Sequence, residues 1–263
     1  MSKLSIIDSA ARAGGLSVIL LGLILAFSPL HASDALLPND VKDAIQLLGE
    51  DFLVESISAP DLVRPAEWVG RSEGEYYFRY VSGDDHGKHE QVELHRPDPD
   101  NPHLAWSRHI GETIIEEITV VDGQGISIHT ETDIEHGYRV EIHPGLSIPV
   151  GSAKGDVWKA DNTLTVFDLG EPNKVAYTGS MTSLQRYVGA YRVKVPAGLF
   201  DTVLLEEDYK IRIGPLKGDD VRYVFYAKGV GVVAEVEGIR ASALIVFRMK
   251  EKSAKVLERY PSK

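Results

Sequence analysis

From Gly74 onward the chain keeps one spacing: apolar residues recur at every second position, and turn residues break the run about every ten. Side chains of an extended strand alternate between two faces, so this spacing can gather its apolar residues only as pleated sheet. In Glu75 to Val81, Tyr76, Phe78 and Tyr80 share one face and Tyr77 and Arg79 the other, so the even positions are expected to point inward. Gln91 to His95 repeats the pattern with Val92 and Leu94. Trp106 to Val121 and Ile126 to Thr132 read as a hairpin through Asp122-Gly123-Gln124-Gly125, with Tyr138, Val140 and Ile142 as the next strand. Pro144 to Lys154 reads as a crossing loop. Later strands are expected at Leu164 to Asp168, Asn173 to Ser180, Tyr187 to Val195, Thr202 to Ile213, Val221 to Ala227, Val230 to Val236 and Ala241 to Met249. The expected fold is mainly β: a strongly curved antiparallel sheet or half-barrel meander with one short N-terminal helix.

That helix follows Pro38-Asn39-Asp40, which offers a cap, and carries Val41, Ala44, Ile45, Leu47 and Leu48 up to Gly49. Its expected role is to lie across a sheet face or an open end. At the other end, Lys250 to Lys263 is charged and reads as a solvated basic tail.

Upstream of the helix, Lys3 and Arg12 lead into the apolar run Leu16 to Phe27 and then Leu30-His31-Ala32. A run of about a dozen residues is short for a bilayer-spanning helix, which needs roughly 20, and it fits a cleaved export leader. Residues 1–32 are therefore expected to be a signal peptide cut after Ala32, with Ser33 the near alternative. Residues 33–263 form the expected single β-rich domain, in the periplasm, with no transmembrane segment after cleavage.

Removing residues 1–32 leaves 231 of the 263, enough for a real core. The leader holds Lys3, Arg12 and Asp8, so the net charge moves from −11 to −12. Such a surface repels nucleic acid and disfavours anionic lipid headgroups. With no cysteine, the chain can have no disulfide, thiolate nucleophile, lipid-modified cysteine or Cys-type zinc site.

Val195-Pro196-Ala197-Gly198-Leu199-Phe200-Asp201-Thr202-Val203 and Tyr226-Ala227-Lys228-Gly229-Val230-Gly231-Val232-Val233, preceded by Gly155-Asp156-Val157-Trp158, form a pattern of turns and core positions. It resembles exported bacterial β-domain families of unknown function to which TapB-like proteins belong. That resemblance covers residues 145–237 and implies a long curved antiparallel sheet akin to the open half-barrel of lipoprotein carriers such as LolA. By their own chemistry, Pro196 and Gly198 turn the chain, and Gly229 and Gly231 flank a tight corner between strands. No helix start follows these glycines, so they are not a phosphate cradle.

The residues spell out no recognisable catalytic motif. All eight histidines beyond the leader fall between His86 and His143; His86 and His89, with Asp85, form a weak candidate metal pair on a polar loop. A hairpin centred on His136 would oppose His129 to His143 and Glu131 to Glu141; a shift by two pairs Glu131 with Arg139, which is electrostatically better. The acidic doublets Glu116-Glu117, Glu206-Glu207-Asp208 and Asp219-Asp220 sit on strands, where neighbours point to opposite faces, and read as a charged outer surface. Aromatic strand residues are the remaining clue. Tyr76, Phe78, Tyr80, Trp106, Trp158 and Tyr226 are the candidate ligand-binding set, for a ligand with an oily body and a polar end. The expected function is non-enzymatic binding of an apolar small molecule or lipid, without cofactor; an envelope assembly module meeting another protein is the alternative.

Overall fold

The computed structural model describes residues 37–68, 73–95, 106–121, 125–243 and 247–261. The expected leader lies outside these residues. Among the described residues a helix α1 (Asn39–Ile45) continues as a 3-10 turn (Gln46–Leu48) and is followed by fourteen strands. These are β1 (Leu53–Ile57), β2 (Gly74–Gly83), β3 (His89–His95), β4 (Trp106–Ile110), β5 (Ile114–Val121), β6 (Gly125–Asp133) and β7 (Tyr138–His143). They continue with β8 (Leu146–Pro149), β9 (Val157–Asp168), β10 (Glu171–Val195), β11 (Gly198–Ile213), β12 (Leu216–Ala227), β13 (Gly231–Ala243) and β14 (Phe247–Arg259).

All pairings are antiparallel, and the sheet closes on itself. From β10 the order runs through β11 to β14, then β2 to β7, then β9, and β9 pairs back with β10. The half-barrel expected from sequence is thus a closed barrel of 12 strands, with β1 added beside the end of β10 and β8 beside β6. Closure removes the open edges that a curved sheet would leave to solvent. Among the described residues no helix is long and apolar enough to cross a membrane.

Several local expectations change. Trp106 to Val121 is two strands, because Gly111-Glu112-Thr113 turns the chain between β4 and β5. Asn173 to Ser180 and Tyr187 to Val195 merge into the 25-residue β10, which bends at an irregularity between Tyr187 and Gly189 instead of breaking. The expected solvated tail from Lys250 is most of β14: Ala254, Val256 and Leu257 are buried, Lys255 is turned inward, and Lys250, Lys252 and Arg259 are exposed. Asn39 lies inside α1 and makes no side-chain cap; the carbonyl of Pro38 instead accepts from the amides of Val41 and Lys42, each at 3.0 Å.

Two apolar clusters organise the barrel. On the face of β10–β14 turned away from the lumen, Val41, Ile45 and Leu48 pack with Phe52, Tyr191, Val193, Leu204, Phe225, Ala234 and Val256. The amide of Ala197, in the β10–β11 turn, donates to the carbonyl of Leu257 in β14 at 3.1 Å, so these strands curl back over the helix. The second cluster lies inside one end of the barrel. Leu62 and Trp68, from the segment after β1, enter it against Ile126, Ile148, Tyr187, Val203, Leu205, Val224 and Tyr226. This plug is stitched in place: Leu62 exchanges backbone hydrogen bonds with the strand-linking residues Gly151 and Ser152, and the Tyr187 hydroxyl donates to the carbonyl of Pro60 at 2.9 Å.

Candidate functional site: the barrel lumen

The lumen wall follows from strand alternation. In β12, Asp220, Arg222, Val224 and Tyr226 face inward, while Tyr223 and Phe225 face the helix. Glu207 and Tyr209 of β11, Glu235 and Glu237 of β13 and Lys255 of β14 join the inward set. Beyond the plug this wall encloses a cavity of about 330 Å³. It is lined by the apolar residues Tyr76, Phe78, Val92, Leu94, Ile110 and Val232 and by the charged residues Glu90, Arg108, Glu116, Glu131, Arg222, Glu235, Glu237 and Lys255, and the two kinds interleave: Phe78 stands opposite Glu90, and Leu94 opposite Arg108.

Each acidic run straddles the sheet as alternation requires, so one member of each points inside. Glu116 pairs with Arg108 in the lumen, Glu207 accepts from Tyr209, and Asp220 accepts from Arg222, whereas Glu206 meets Arg186 on the outer surface. The expected all-outer acidic surface is therefore half interior. Glu131 enters the lumen through a bulge: Glu117 pairs with Thr130 and the next residue, Ile118, with Ile128, so His129 is skipped and both Ile128 and Glu131 face inward. On its other side Glu131 stands opposite Val140, and Thr132 opposite Arg139. This register lies one residue from each of the two weighed from sequence, and it leaves neither the histidine pair nor the Glu131–Arg139 pair.

The charges form a linked network. Lys255 Nζ contacts Glu90 Oε1 at 2.7 Å and Glu235 Oε2 at 3.3 Å, and the Tyr80 hydroxyl donates to the second oxygen of Glu90 at 2.8 Å. Arg222 donates to Asp220 at 2.7 Å and to Glu237 at 2.9 Å. The Tyr209 hydroxyl donates to Glu207 at 2.8 Å and accepts from Gln185 at 3.2 Å. Seven carboxyls, those of Glu90, Glu116, Glu131, Glu207, Asp220, Glu235 and Glu237, thus face three cations, Arg108, Arg222 and Lys255. Acid excess shows in the protonation of the group. Burial raises the carboxyls of Glu131, Glu207 and Asp220 above their ordinary range. Burial likewise lifts Glu237 to about 7, Arg222 pulling down and Glu235 and Asp220 adding to the rise. Glu235 moves the other way, because Lys255, Arg222 and Arg108 together outweigh its burial. Asp220 Oδ1 is buried and, among the described residues, has no hydrogen-bond partner.

A pH-dependent stability follows from Glu237. Its folded pKa lies above the unfolded value near 4.5, so the folded state holds the proton longer and loses stability as pH rises from about 4.5 to about 7. Glu237→Gln removes that loss. The variant should match the parent below pH ~4.5 and exceed it by about 1–3 kcal/mol above pH ~7. Urea denaturation across this range checks the sign; a variant less stable than the parent at pH ~8 contradicts it.

Of the residues singled out from sequence, Tyr76, Phe78 and Tyr80 stand side by side on the cavity wall. Tyr226 lies in the plug cluster at the cavity floor, its hydroxyl 3.4 Å from Glu207. Trp106 packs at the margin of the helix-side cluster, and Trp158 at the margin of the plug, its indole donating to Gln185 at 2.5 Å; neither is part of the cavity wall. His86 and His89 are not brought together with a third ligand: among the described residues no group of three or more His, Cys, Asp or Glu is arranged to hold a metal, and His89 faces Glu258 at 3.3 Å. The charged set was missed as a site. Its signal was present in the alternation of Arg222, Val224 and Tyr226 with Tyr223 and Phe225, but a charged strand face reads as solvent-facing unless the sheet is known to close.

No protein-family model matches the chain, and no curated protein matches it in sequence. Three solved structures align over most of their own length. An exported protein with a YmcC-like fold from Bacteroides fragilis is 15% identical, with a TM-score of 0.34, 73% of this chain covered and 97% of that one. A protein described as a lipoprotein from Parabacteroides distasonis is 13% identical at a TM-score of 0.34, covering 73% and 96%. The hypothetical lipoprotein YmcC of Escherichia coli is 9% identical at 0.35, covering 84% and 96%. At this identity and overlap the likeness assigns neither a family nor an activity to this chain.

Proposed function

We propose that this is an exported, non-enzymatic binding protein whose barrel lumen holds a small amphiphile. The observation that carries this reading is the mixed lining of one cavity, in which apolar side chains stand beside an acid-rich charged set. An aliphatic or aromatic body meets Tyr76, Phe78, Val92 and Leu94, where contact with apolar surface gains about 25 cal/mol per Å² removed from water. A cationic or donor-rich head then meets the charged groups of the same lining, where acids outnumber bases and Glu131 projects into the cavity. A volume of about 330 Å³ is at the small end of ligand pockets, which suits a single short chain over a multi-acyl lipid. The export leader at residues 1–32 is part of the same proposal, and places the protein where it would meet such molecules.

Matched single-chain probes below their micelle concentration test it. Decyltrimethylammonium should bind saturably and at least about tenfold tighter than decyl sulfate, a difference of about 1.4 kcal/mol. Val92→Phe, which narrows the cavity, should weaken the cationic probe by a similar factor. Calorimetry that detects neither probe, or finds the sulfate as tight as the ammonium, overturns the assignment.

A further inference from the structure

The outer face of β11–β14 carries a second concavity, of about 510 Å³, towards the strand ends remote from α1. Two cross-strand rows build it. Lys210, Asp219, Arg240 and Lys250 stand opposite one another in succession across the four strands, and Arg212 and Lys217 face each other in the next row. All five cations are exposed, and among the described residues none of them is joined to an acid by an ion pair. With strands about 4.8 Å apart, the array spreads over about 15 Å by 7 Å.

Like charges in direct cross-strand opposition destabilise a sheet, and Arg212–Lys217 and Arg240–Lys250 are both such pairs. Asp219 is the acid in the patch, which leaves a local charge of +4. Composition does not force this: the chain has 39 acids to 28 bases, and several outer cations elsewhere have acid partners, Arg192 with Glu55 and Asp201, Arg186 with Glu206. Asp219, opposite both Lys210 and Arg240, offsets part of this repulsion, and the net positive charge that is left suits an external anionic partner.

We propose that this patch docks the protein on the anionic headgroups of a lipid bilayer. A two-dimensional array on a sheet face meets many phosphates of a plane at once, whereas a linear polyanion would follow one row or a groove. The remainder of the molecule is strongly acidic, so an anionic surface repels the other faces and selects this one. The sequence-level expectation that net charge disfavours anionic lipid holds for the average surface and is reversed locally. The inference stands apart from the lumen ligand, and either can fail alone.

Vesicle co-sedimentation of the exported protein tests it, with phosphatidylcholine vesicles containing or lacking phosphatidylglycerol. The readout is the difference between the two, because an uncleaved apolar leader would hold to both. The protein should prefer the anionic vesicles, and lose that preference as salt rises. Arg212→Gln/Lys217→Gln/Arg240→Gln should weaken anionic-vesicle binding about 100-fold, while Lys159→Gln/Lys174→Gln should leave it unchanged. The triple variant should melt no lower than the parent, since a repulsion has been removed. Equal binding to both vesicle types, a triple variant that still binds, a triple variant that melts markedly lower, or binding to soluble polyphosphate without binding to vesicles each overturns the proposal.

Discussion

Arg222→Met is expected to destabilise the protein by about 3–5 kcal/mol at pH ~8, because it removes one cation from a lumen already rich in buried acids. Arg222 is the shared donor to Asp220 and Glu237, its guanidinium lies 5.8 Å from the ring of Tyr209, and it helps to hold Glu235 ionised. Without it, Asp220 and Glu237 lose their partner in a low-dielectric interior, and the loss of a partner from a buried pair costs more than the pair itself contributes. For a chain of this length the expected fall in melting temperature is about 6–20 °C. The loss has a signature that plain packing damage lacks. Asp220 and Glu237 already have raised pKa values, so acidification neutralises them and the deficit should shrink towards pH ~5. Adding Glu237→Gln to Arg222→Met should recover part of the deficit, as coupled neighbours do in a double-mutant cycle. A deficit that is the same at both pH values would mean that Arg222 acts through its packing and not its charge.

Phe225→Ala is expected to cost about 3–5 kcal/mol for a different reason. Phe225 is fully buried and meets Phe52 edge to face at 4.9 Å, in the cluster that fixes α1 to the sheet. A seven-residue helix has little stability of its own, so burial of Val41, Ala44 and Ile45 against this surface is what holds it. Truncation should therefore do two things: lower the melting temperature by about 6–20 °C and speed amide exchange across residues 41–48 more than across β5 or β6. Uniform acceleration throughout the barrel would show that the cluster is not a local anchor for the helix.

Much of the strand content was legible because alternation is a local property. Tyr76, Phe78 and Tyr80 read as one inward face and line the lumen; Val195-Pro196-Ala197-Gly198 and Lys228-Gly229-Val230 read as turns and join β10 to β11 and β12 to β13. The positive φ of 77° at Gly229 and 101° at Gly231 is the backbone such a corner needs. Errors arose where an irregularity shifts the alternation. The bulge at His129 moves Glu131 indoors, and the bend near Gly189 lets one strand continue where two were expected. At Gly83 the backbone of β14 comes so close that a Cβ would lie 1.9 Å from the carbonyl oxygen of Lys252, a contact between distant segments with no local signature.

The candidate site divides in the same way. Its apolar half was visible because aromatic residues at alternate strand positions announce burial. Its charged half was not, since Arg108, Glu116, Arg222, Glu235 and Lys255 look, one strand at a time, like the wetted side of a sheet. By itself the sequence showed that most of the chain beyond the N-terminal apolar run and the short helix forms antiparallel strands, and, away from bulges, which side chains share a face and where many of the turns lie. Only the tertiary structure decided which face is enclosed, because the pairing of β14 with β2 joins segments from opposite ends of the chain and, with β7 beside β9, closes the ring and converts a would-be solvent face into a lumen. Alternation separates two sides of a ribbon; closure, a long-range event, chooses the inside.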